Sequence, residues 1–584
     1  MRSLTHYFLT LCLLLILSPS ARSDTLDEFI TDQIQQRQIP SLSLAIIQDG
    51  KIVKAQGYGV TEKGGRTPVT ASTLFQAGSI SKPLAALGAL RLVQQGRLSL
   101  DEDVNFKLKT WKVPENEFTN EQKVTLRRLL SHSAGLSVHG FPGYAVNEPV
   151  PTLVQILNGE KPANTAAVRV EAVPGSQWKY SGGGYTLMQL MMEDVTGQPF
   201  PQLMRETVLG PLGMNNSTFE QPLPADKAKA TATGYYRDRT AVEGKWHIYP
   251  EMAAAGLWTT ASDLASFAIN VQLALAGKSD KVLSSQMTRQ MLTREQTWDS
   301  GLGVFLQGSG KTLRFGHNGR DEGFDAALIA YAEIGQGAVI MINANDNSRM
   351  VGSRILAAIA REYRWSDYPI YTRPDRPTTK VEVQALKAYT GRYEFYENYM
   401  LTFGASNGRL LTLADGMADE EFVAESDTLF HSTERDARIS FVKDALGRVN
   451  GFMWKEDGKE RKVPRIGPLV GSLEPQLDQD PALTRKVEAV LRAIASGGRA
   501  VEEVAGLTPG ARKVFAPRSS PAFAGMRSLS FVAAEDVSGR GIKRHGGEVK
   551  RVLYYKMLTS KSARYVLVHL TVDGLVTDQD VVDK

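Results

Sequence analysis

A serine and a lysine three residues apart, Ser79 and Lys82, lie in the stretch Gln76-Ala77-Gly78-Ser79-Ile80-Ser81-Lys82, which runs into Pro83-Leu84-Ala85-Ala86-Leu87. The stretch reads as a turn that becomes a helix. Positions i and i+3 share one helical face, so the hydroxyl and the amine can meet. A hydroxyl is a poor nucleophile until a base takes its proton, and a desolvated lysine can be that base. A helix start also offers free backbone N–H groups to a developing negative charge. The spacing alone is not selective, because it recurs at Ser176/Lys179 and Ser440/Lys443. Ser79 stands apart because an apolar helix follows at once, with Pro83 in its first turn, where the missing N–H costs least.

Three further stretches carry groups suited to proton transfer or to tight turns. Leu129-Leu130-Ser131-His132-Ser133-Ala134-Gly135-Leu136 follows a basic helix end. Trp178-Lys179-Tyr180-Ser181-Gly182-Gly183-Gly184-Tyr185 runs into a helix over 186–195, and Phe315-Gly316-His317-Asn318-Gly319-Arg320 ends a strand. The elements that must position them mix helix and strand patterns. A helix with Leu26, Phe29, Ile30 and Ile34 on one stripe opens the region. Strands at 41–47 and 51–55 follow, joined through Asp49-Gly50, a strong hairpin signal. A helix opens at Ser262-Asp263-Leu264, and strands are expected at 303–307, 312–315, 326–332 and 338–343. A helix at about 354–363 finishes the segment. Strands at both ends with helices between them predict one sheet closed by the two ends of the domain.

Length and charge bound the rest. A chain of 584 residues is expected to hold two to four domains. A net charge of +5 is small for that length and gives a nucleic-acid role no support. Residues 481–584 carry 17 Lys/Arg against 10 Asp/Glu, so this end is basic while the remainder sums to −2. A solvated surface of mixed charge is the simpler reading of this basic end, and an anionic surface such as a cell-envelope polymer is the alternative partner it suits. Arg2, the apolar run from Tyr7 to Leu17 and the segment Ser18–Ser23 have the layout of a signal peptide cleaved before Asp24, which predicts export to a periplasm or out of the cell. The one cysteine, Cys12, lies inside that segment, so a mature chain would have no disulfide, thiol nucleophile or thiolate metal site. No later stretch approaches eighteen apolar residues, so no transmembrane segment is expected in the mature chain.

Pro369, Pro374 and Pro377 mark 367–380 as a linker. Beyond it the hydrophobic period becomes two, with seven or so short strands and turns at Asn407-Gly408 and Asp457-Gly458, as in a small antiparallel barrel. Asp480-Pro481 then caps a helix with Leu483, Val487, Val490, Leu491 and Ile494 on one face, stopped by Gly497. Thr508-Pro509 starts a shorter helix, and four strands follow, making an α+β module.

Taken together, the Ser79, Tyr180 and His317 stretches, with Pro211-Leu212-Gly213-Met214 and Ala255-Gly256-Leu257-Trp258-Thr259-Thr260-Ala261-Ser262-Asp263-Leu264, resemble the serine β-lactamase and penicillin-binding protein superfamily. The branch they are most similar to holds class C β-lactamases, D-Ala-D-Ala carboxypeptidases, D-aminopeptidases and family VIII esterases. The resemblance implies an α/β (α+β) β-lactamase/transpeptidase-like catalytic domain, an antiparallel sheet flanked by helices. The expected organisation is a signal peptide at 1–23, a serine hydrolase domain at 24–366, the linker at 367–380, a lipocalin-like β-barrel at 381–470 and an α+β accessory domain at 478–584, loosely cystatin- or NTF2-like.

The resemblance also implies roles. Ser79 would attack a carbonyl and carry the acyl group, with Lys82 in the proton-transfer network beside it. Tyr180 would be general base in acylation and acid for the leaving group. A phenol, with a pKa of about 10, does this at neutral pH only if nearby cations lower it. His317 stands where many members have the lysine of a K-T-G strand, and neutral or charged it would hydrogen-bond Tyr180 or a substrate carboxylate. The N–H groups of Ser79 and Arg320, the latter following Gly319, would form the oxyanion hole. Gly182 occupies the third position of the family's Y-x-N, so the amide that contacts substrate is absent. That departure favours a small ester or amide, cleaved by an esterase or D-amino-acid peptidase, over a β-lactam or a D-Ala-D-Ala cell-wall peptide. A penicillin-binding fold serving as a non-catalytic envelope sensor is the alternative from another class. His132 and Lys179 read as structural and surface residues. Gly308-Ser309-Gly310-Lys311-Thr312 lacks the first glycine of a P-loop, and no G-x-S-x-G elbow occurs. No nucleotide, metal or other cofactor is implied.

Overall fold

The computed structural model describes residues 25–582 apart from 237–239, 297, 346–348, 370–375, 397–398, 407–408, 414–419, 434–435, 457–458, 468–474, 517–519, 521–522, 524, 541, 546 and 560–562. The expected leader with Cys12, the two barrel turns at 407–408 and 457–458, and the middle of the proline-marked linker, 370–375, lie outside the described residues.

A six-stranded antiparallel sheet runs in the order Lys51–Gly59, Ser41–Gln48, Gly337–Ile342, Phe324–Tyr331, Arg314–Asp321, Phe305–Gln307. Its centre joins the two ends of the domain, since Leu42 to Ile47 pair with Ile342 to Gly337. Alternate residues of this strand go to opposite faces of the sheet. Ala45 and Ile47 enter the core beneath the helix Ala261–Leu275, whereas Leu42, Leu44 and Ile46 pack with the helices Thr25–Gln36 and Arg349–Glu362. With both faces covered, the strand is buried at nearly every position, its two serines included. The helices Ser81–Gln94 and Gly182–Thr196 are buried over most of their length, which places both in the middle of the larger core.

One boundary differs from expectation. Residues 310–312 form a 3-10 turn closed by a Ser309/Thr312 capping box, and the strand begins at Arg314 and continues through His317 to Asp321. The His-Asn-Gly-Arg stretch is therefore the body of a strand and not its end.

Eight strands, one more than expected, close a barrel between 391 and 467, with Arg392 of the first paired to Gly467 of the last. The added strand, Leu429–Ser432, has four residues. Tyr393, Phe403, Phe441 and Phe452 meet inside the barrel at ring separations of 5.1–6.0 Å, so aromatic side chains fill its interior. The terminal module carries the helix Pro481–Ser496, capped by Asp480, against a sheet ordered Ser528–Asp536, Arg551–Leu558, Ala563–Leu570, Val576–Val582. Val487, Val490, Leu491 and Ile494 bury against Leu553, Tyr555, Val566 and Val568 of that sheet.

The other side of the module meets the barrel through charge. Arg544 is fully buried and ion-pairs with Glu394 of the first barrel strand and, at 3.1 Å, with Asp578. Arg392 of the same barrel strand reaches Asp580 at 3.5 Å, and His569 bonds Asp580 at 2.9 Å. Among the described residues no helix is long and apolar enough to cross a membrane.

Candidate active site

Ser79 lies in a 3-10 turn, Gly78–Ile80, that leads directly into the helix Ser81–Gln94. Ser79 is half-buried while the residues on either side are buried, so its hydroxyl is the reachable part of the turn. The Lys82 ammonium is almost wholly buried and donates to Ser79 Oγ at 3.0 Å and to the Ala254 carbonyl at 2.8 Å. A buried cation needs such partners. The Ala-Gly-Leu-Trp-Thr-Thr stretch, which follows Ala254, holds the turn itself. Ala77 N–H donates to Leu257 O at 2.9 Å, Ser81 Oγ accepts from Leu257 N–H at 3.0 Å, and Phe75-Gln76 pairs with Trp258-Thr259.

The strand Arg314–Asp321 runs against the same turn. A Cβ on Gly319 would stand 1.8 Å from Ala77 O and 3.2 Å from Ser79 N, and one on Gly78 would stand 2.4 Å from Arg320 N. Only glycine permits this approach at both places, and Gly78 also has φ +52°. The approach brings the Ser79 and Arg320 backbone amides side by side. The Arg320 guanidinium is turned to Asp325, with contacts of 2.8 and 3.3 Å, which leaves its backbone as the part next to Ser79. Asp321 accepts from Gly78 N–H at 3.2 Å. Burial pushes its carboxyl well above the usual range, with the Lys82 charge pulling the other way.

His317 is buried on this strand. Its Nδ1 lies 2.5 Å from Asn318 O, so Nδ1 carries the proton and Nε2 is a bare acceptor with no hydrogen-bond partner. Burial, and then the charge of Lys82, push the imidazole down to about 3. It is therefore neutral at physiological pH. A neutral ring presenting a lone pair is set to accept from an O–H or N–H donor, the expected bond from Tyr180 among them, whereas a carboxylate would be met only by a ring that had first taken up a proton.

Tyr180 stands just before the helix Gly182–Thr196, whose N-cap Ser181 accepts from Gly184 N–H at 3.0 Å. The phenol ring lies among aromatics: His132 stacks on it at 4.2 Å, His139 lies at 4.7 Å, and His317, Phe305 and Trp178 lie at 6.0–6.3 Å. Lys82 joins it to the nucleophile, with Nζ 5.0 Å from the ring centre and 3.0 Å from Ser79 Oγ. The structure thus brings Ser79, Lys82, Tyr180, His317, Gly319 and Arg320 together.

Gly182 is different. Its N–H is committed to His139 O at 3.0 Å, and a Cβ there would stand 3.0 Å from the Phe141 ring and 3.1 Å from His139 O. The expected place of Gly182 among the substrate and oxyanion contacts is corrected on this ground. A side chain at this position would press on the Phe141 ring and on the His139 carbonyl. Gly183 is equally tight, with its Cβ position 2.8 Å from Val168 and 3.0 Å from Ser137 O.

The other two copies of the Ser/Lys spacing have no such company. Lys179 pairs with Glu171 at the surface, and Ser440 and Lys443 lie on a barrel strand, where positions three apart face opposite ways. Sequence reasoning missed Glu251. Glu251 is wholly buried beside Tyr144, and burial pushes it up to about 8, with its own backbone and the Tyr144 hydroxyl pulling the other way. Its backbone carbonyl anchors the turn Met252–Ala255 that carries the Lys82 acceptor. A lone glutamate in Pro-Glu-Met gave no chemical pattern to find. Among the described residues no three His, Asp or Glu side chains converge as a metal-binding group.

A sheet closed by its own ends, with a serine–lysine helix, a tyrosine before a second helix and a strand laid against the nucleophile, defines a serine hydrolase of the β-lactamase and penicillin-binding type. The chain belongs to the Beta-lactamase family, whose model matches residues 26–361. Among its relatives it is 24% identical over 451 residues to "Penicillin-binding protein 4*" of Bacillus subtilis (strain 168), covering 72% of this chain and 93% of that one. It is 25% identical over 330 residues to "Protein flp" of Staphylococcus aureus (strain N315), covering 55% of this chain and 63% of that one. The fold is shared with the octameric penicillin-binding protein homologue from Pyrococcus abyssi, at a TM-score of 0.52 and 22% identity, over 75% of this chain and 99% of that one.

Proposed function

We propose that this chain is an exported serine hydrolase that forms an acyl-Ser79 intermediate on a small, uncharged ester or amide. The observation that carries the proposal is the 3.0 Å contact between Lys82 Nζ and Ser79 Oγ beside the paired amides of Ser79 and Arg320. A cation at that distance stabilises an emerging alkoxide, and two preorganised N–H groups stabilise the oxyanion that follows. Ser79 Oγ forms a bond to the substrate carbonyl carbon while its proton passes into the Lys82/Tyr180 pair. The bond to the leaving alcohol or amine then breaks, and that group takes the proton from Tyr180. Water repeats the sequence in reverse order, releasing the acid and restoring the Ser79 hydroxyl. The two proton carriers act as one coupled unit. The apolar run at 7–17 supports export.

The substrate class follows from what lines the nucleophile. Neutral His317 stands where a carboxylate-binding cation would be needed, the Arg320 guanidinium is engaged by Asp325, and the Phe141 ring crowds Gly182, where the family's amide side chain would start. Phe305 and the exposed Trp178 add an aromatic wall next to Tyr180. Desolvating a substrate carboxylate against this wall costs binding energy that nothing repays. These features support an uncharged ester or amide over a β-lactam or a peptide with a free C-terminus. The test is kcat/KM for p-nitrophenyl butyrate, its carboxylate-bearing hemisuccinate counterpart, an N-acetyl-D-alanyl p-nitroanilide and a chromogenic cephalosporin. The neutral ester or the amide is expected to lead the carboxylate-bearing compounds by about tenfold or more. Preference for the hemisuccinate or the cephalosporin would overturn the assignment.

A further inference from the structure

His132 sits at a bend that a side chain rarely adopts, with φ +59°, and it holds the chain on both sides of Tyr180. Its carbonyl accepts Lys179 N–H at 2.7 Å, and its Nδ1 accepts Ser181 N–H at 3.2 Å. Lys179 and Ser181 are the residues immediately before and after Tyr180, so one histidine fixes the backbone at each flank. The same imidazole lies on the phenol ring at 4.2 Å with an interplanar angle of 28°. Behind it stands Tyr185, 5.3 Å away, locked by its hydroxyl to Leu130 O at 3.0 Å. A left-handed non-glycine residue is strained and persists where its surroundings over-determine it.

We infer that His132 is a positioning residue for Tyr180, clamping its backbone and its ring so that the phenol stays in register with Lys82 and Ser79. The inference rests on the acyl-Ser79 reading above. Acceptance from Ser181 N–H requires Nδ1 to be bare, so the proton sits on Nε2 and the ring is neutral. Burial and the charge of Lys82 push its titration well below the ordinary range, consistent with that state. A residue whose ring, side-chain nitrogen and carbonyl all bear on one tyrosine does more than turn a helix end. Its tautomer, its strained φ and its stacking partner all serve the same geometry.

Two full-length variants separate the contacts. His132→Asn keeps a short acceptor and tolerates the left-handed bend but removes the ring, whereas His132→Phe keeps a ring and removes the acceptor. Each is expected to lower kcat on a neutral p-nitrophenyl ester by about 10²-fold, the cost of an ångström-scale misplacement, with KM within about twofold. In a Tyr180→Phe background the same changes should cost no further kcat, since there is no phenol left to position. The Tyr180 ring signal, observed with ring-labelled tyrosine and assigned by Tyr180→Phe, should be shifted upfield in the parent protein and relax toward the free value in His132→Asn. An unmoved ring signal, a loss confined to KM, or an equal loss in the Tyr180→Phe background would overturn the inference. If the parent protein turned over no ester, the acyl-Ser79 reading would fail, while the ring signal would still decide whether His132 holds Tyr180.

Discussion

One methyl group at Gly319 tests whether the approach of two backbones sets the rate. In Gly319→Ala the new carbon would stand 1.8 Å from Ala77 O, and both neighbours are main chain, so neither can swing aside. Relief to even a tight 3.0 Å contact demands a shift of 1.2 Å between the strand and the turn. The strand is held between Phe324–Tyr331 and Phe305–Gln307, and the turn is held by Leu257, so part of the strain remains in the structure. Overpacking of this kind costs about 1–3 kcal/mol of stability. The separation of the Ser79 and Arg320 amides changes by a similar fraction of an ångström to an ångström, which predicts a loss of about 10²-fold in kcat. Steady-state kinetics on p-nitrophenyl butyrate, with thermal melting alongside, read both effects. Gly352→Ala is the control, because its Cβ meets nothing closer than 3.9 Å and its helix should gain about 1 kcal/mol. A Gly319→Ala enzyme with kcat within about threefold of the parent would refute the reasoning.

Burial raises Glu251 to about 8 against 4.5, so the folded form keeps a proton that the unfolded chain gives up. Its contribution to stability is full below about pH 4.5 and is lost as pH rises toward 8, at about 1.4 kcal/mol per pH unit. Glu251→Gln should flatten that fall in melting temperature between pH 5 and 8, and parallel curves for the two proteins would contradict it. His317 and His132 have the opposite sense. Their native states refuse a proton, so stability is held above about pH 6.5 and lost as pH falls below it, and their ring signals should not move between pH 5.5 and 8 in an NMR titration. Arg544→Met leaves Glu394 and Asp578 buried without their cation and should destabilise the barrel–module junction by about 3–5 kcal/mol, seen as a lowered melting transition.

The parts of the fold that were legible in the sequence are those with strong local period. Strand 337–342 announces itself by continuous apolar residues and strand 41–48 by Leu42, Leu44 and the run 45–47 before the Asp49-Gly50 turn, and their pairing follows from needing one sheet at both ends of the domain. The terminal helix was marked by Asp480-Pro481 and Gly497, where local chemistry decides the ends. The missing barrel strand, Leu429–Ser432, is too short to show alternation and is defined by partners on both sides. Ser79, Lys82, Tyr180 and His317 stood out because each belongs to a short motif, and the structure brings them together. The role of Phe141 was not legible, since its contact with Gly182 joins residues forty-one apart through space. His132 was read as structural because a Ser-His-Ser turn says nothing about which ring it will face. The Arg544 network was hidden for a related reason, since charges in a sequence read as surface until their partners are known.

The central claim is that Ser79 is an activated nucleophile that takes an acyl-type adduct. Intact-mass measurement of the full chain after treatment with a fluorophosphonate tests it most directly. The parent protein is predicted to gain one adduct mass, mapped by peptide sequencing to Ser79 and absent from Ser79→Ala. A parent protein that stays unmodified, or an adduct that persists in Ser79→Ala, would contradict the account.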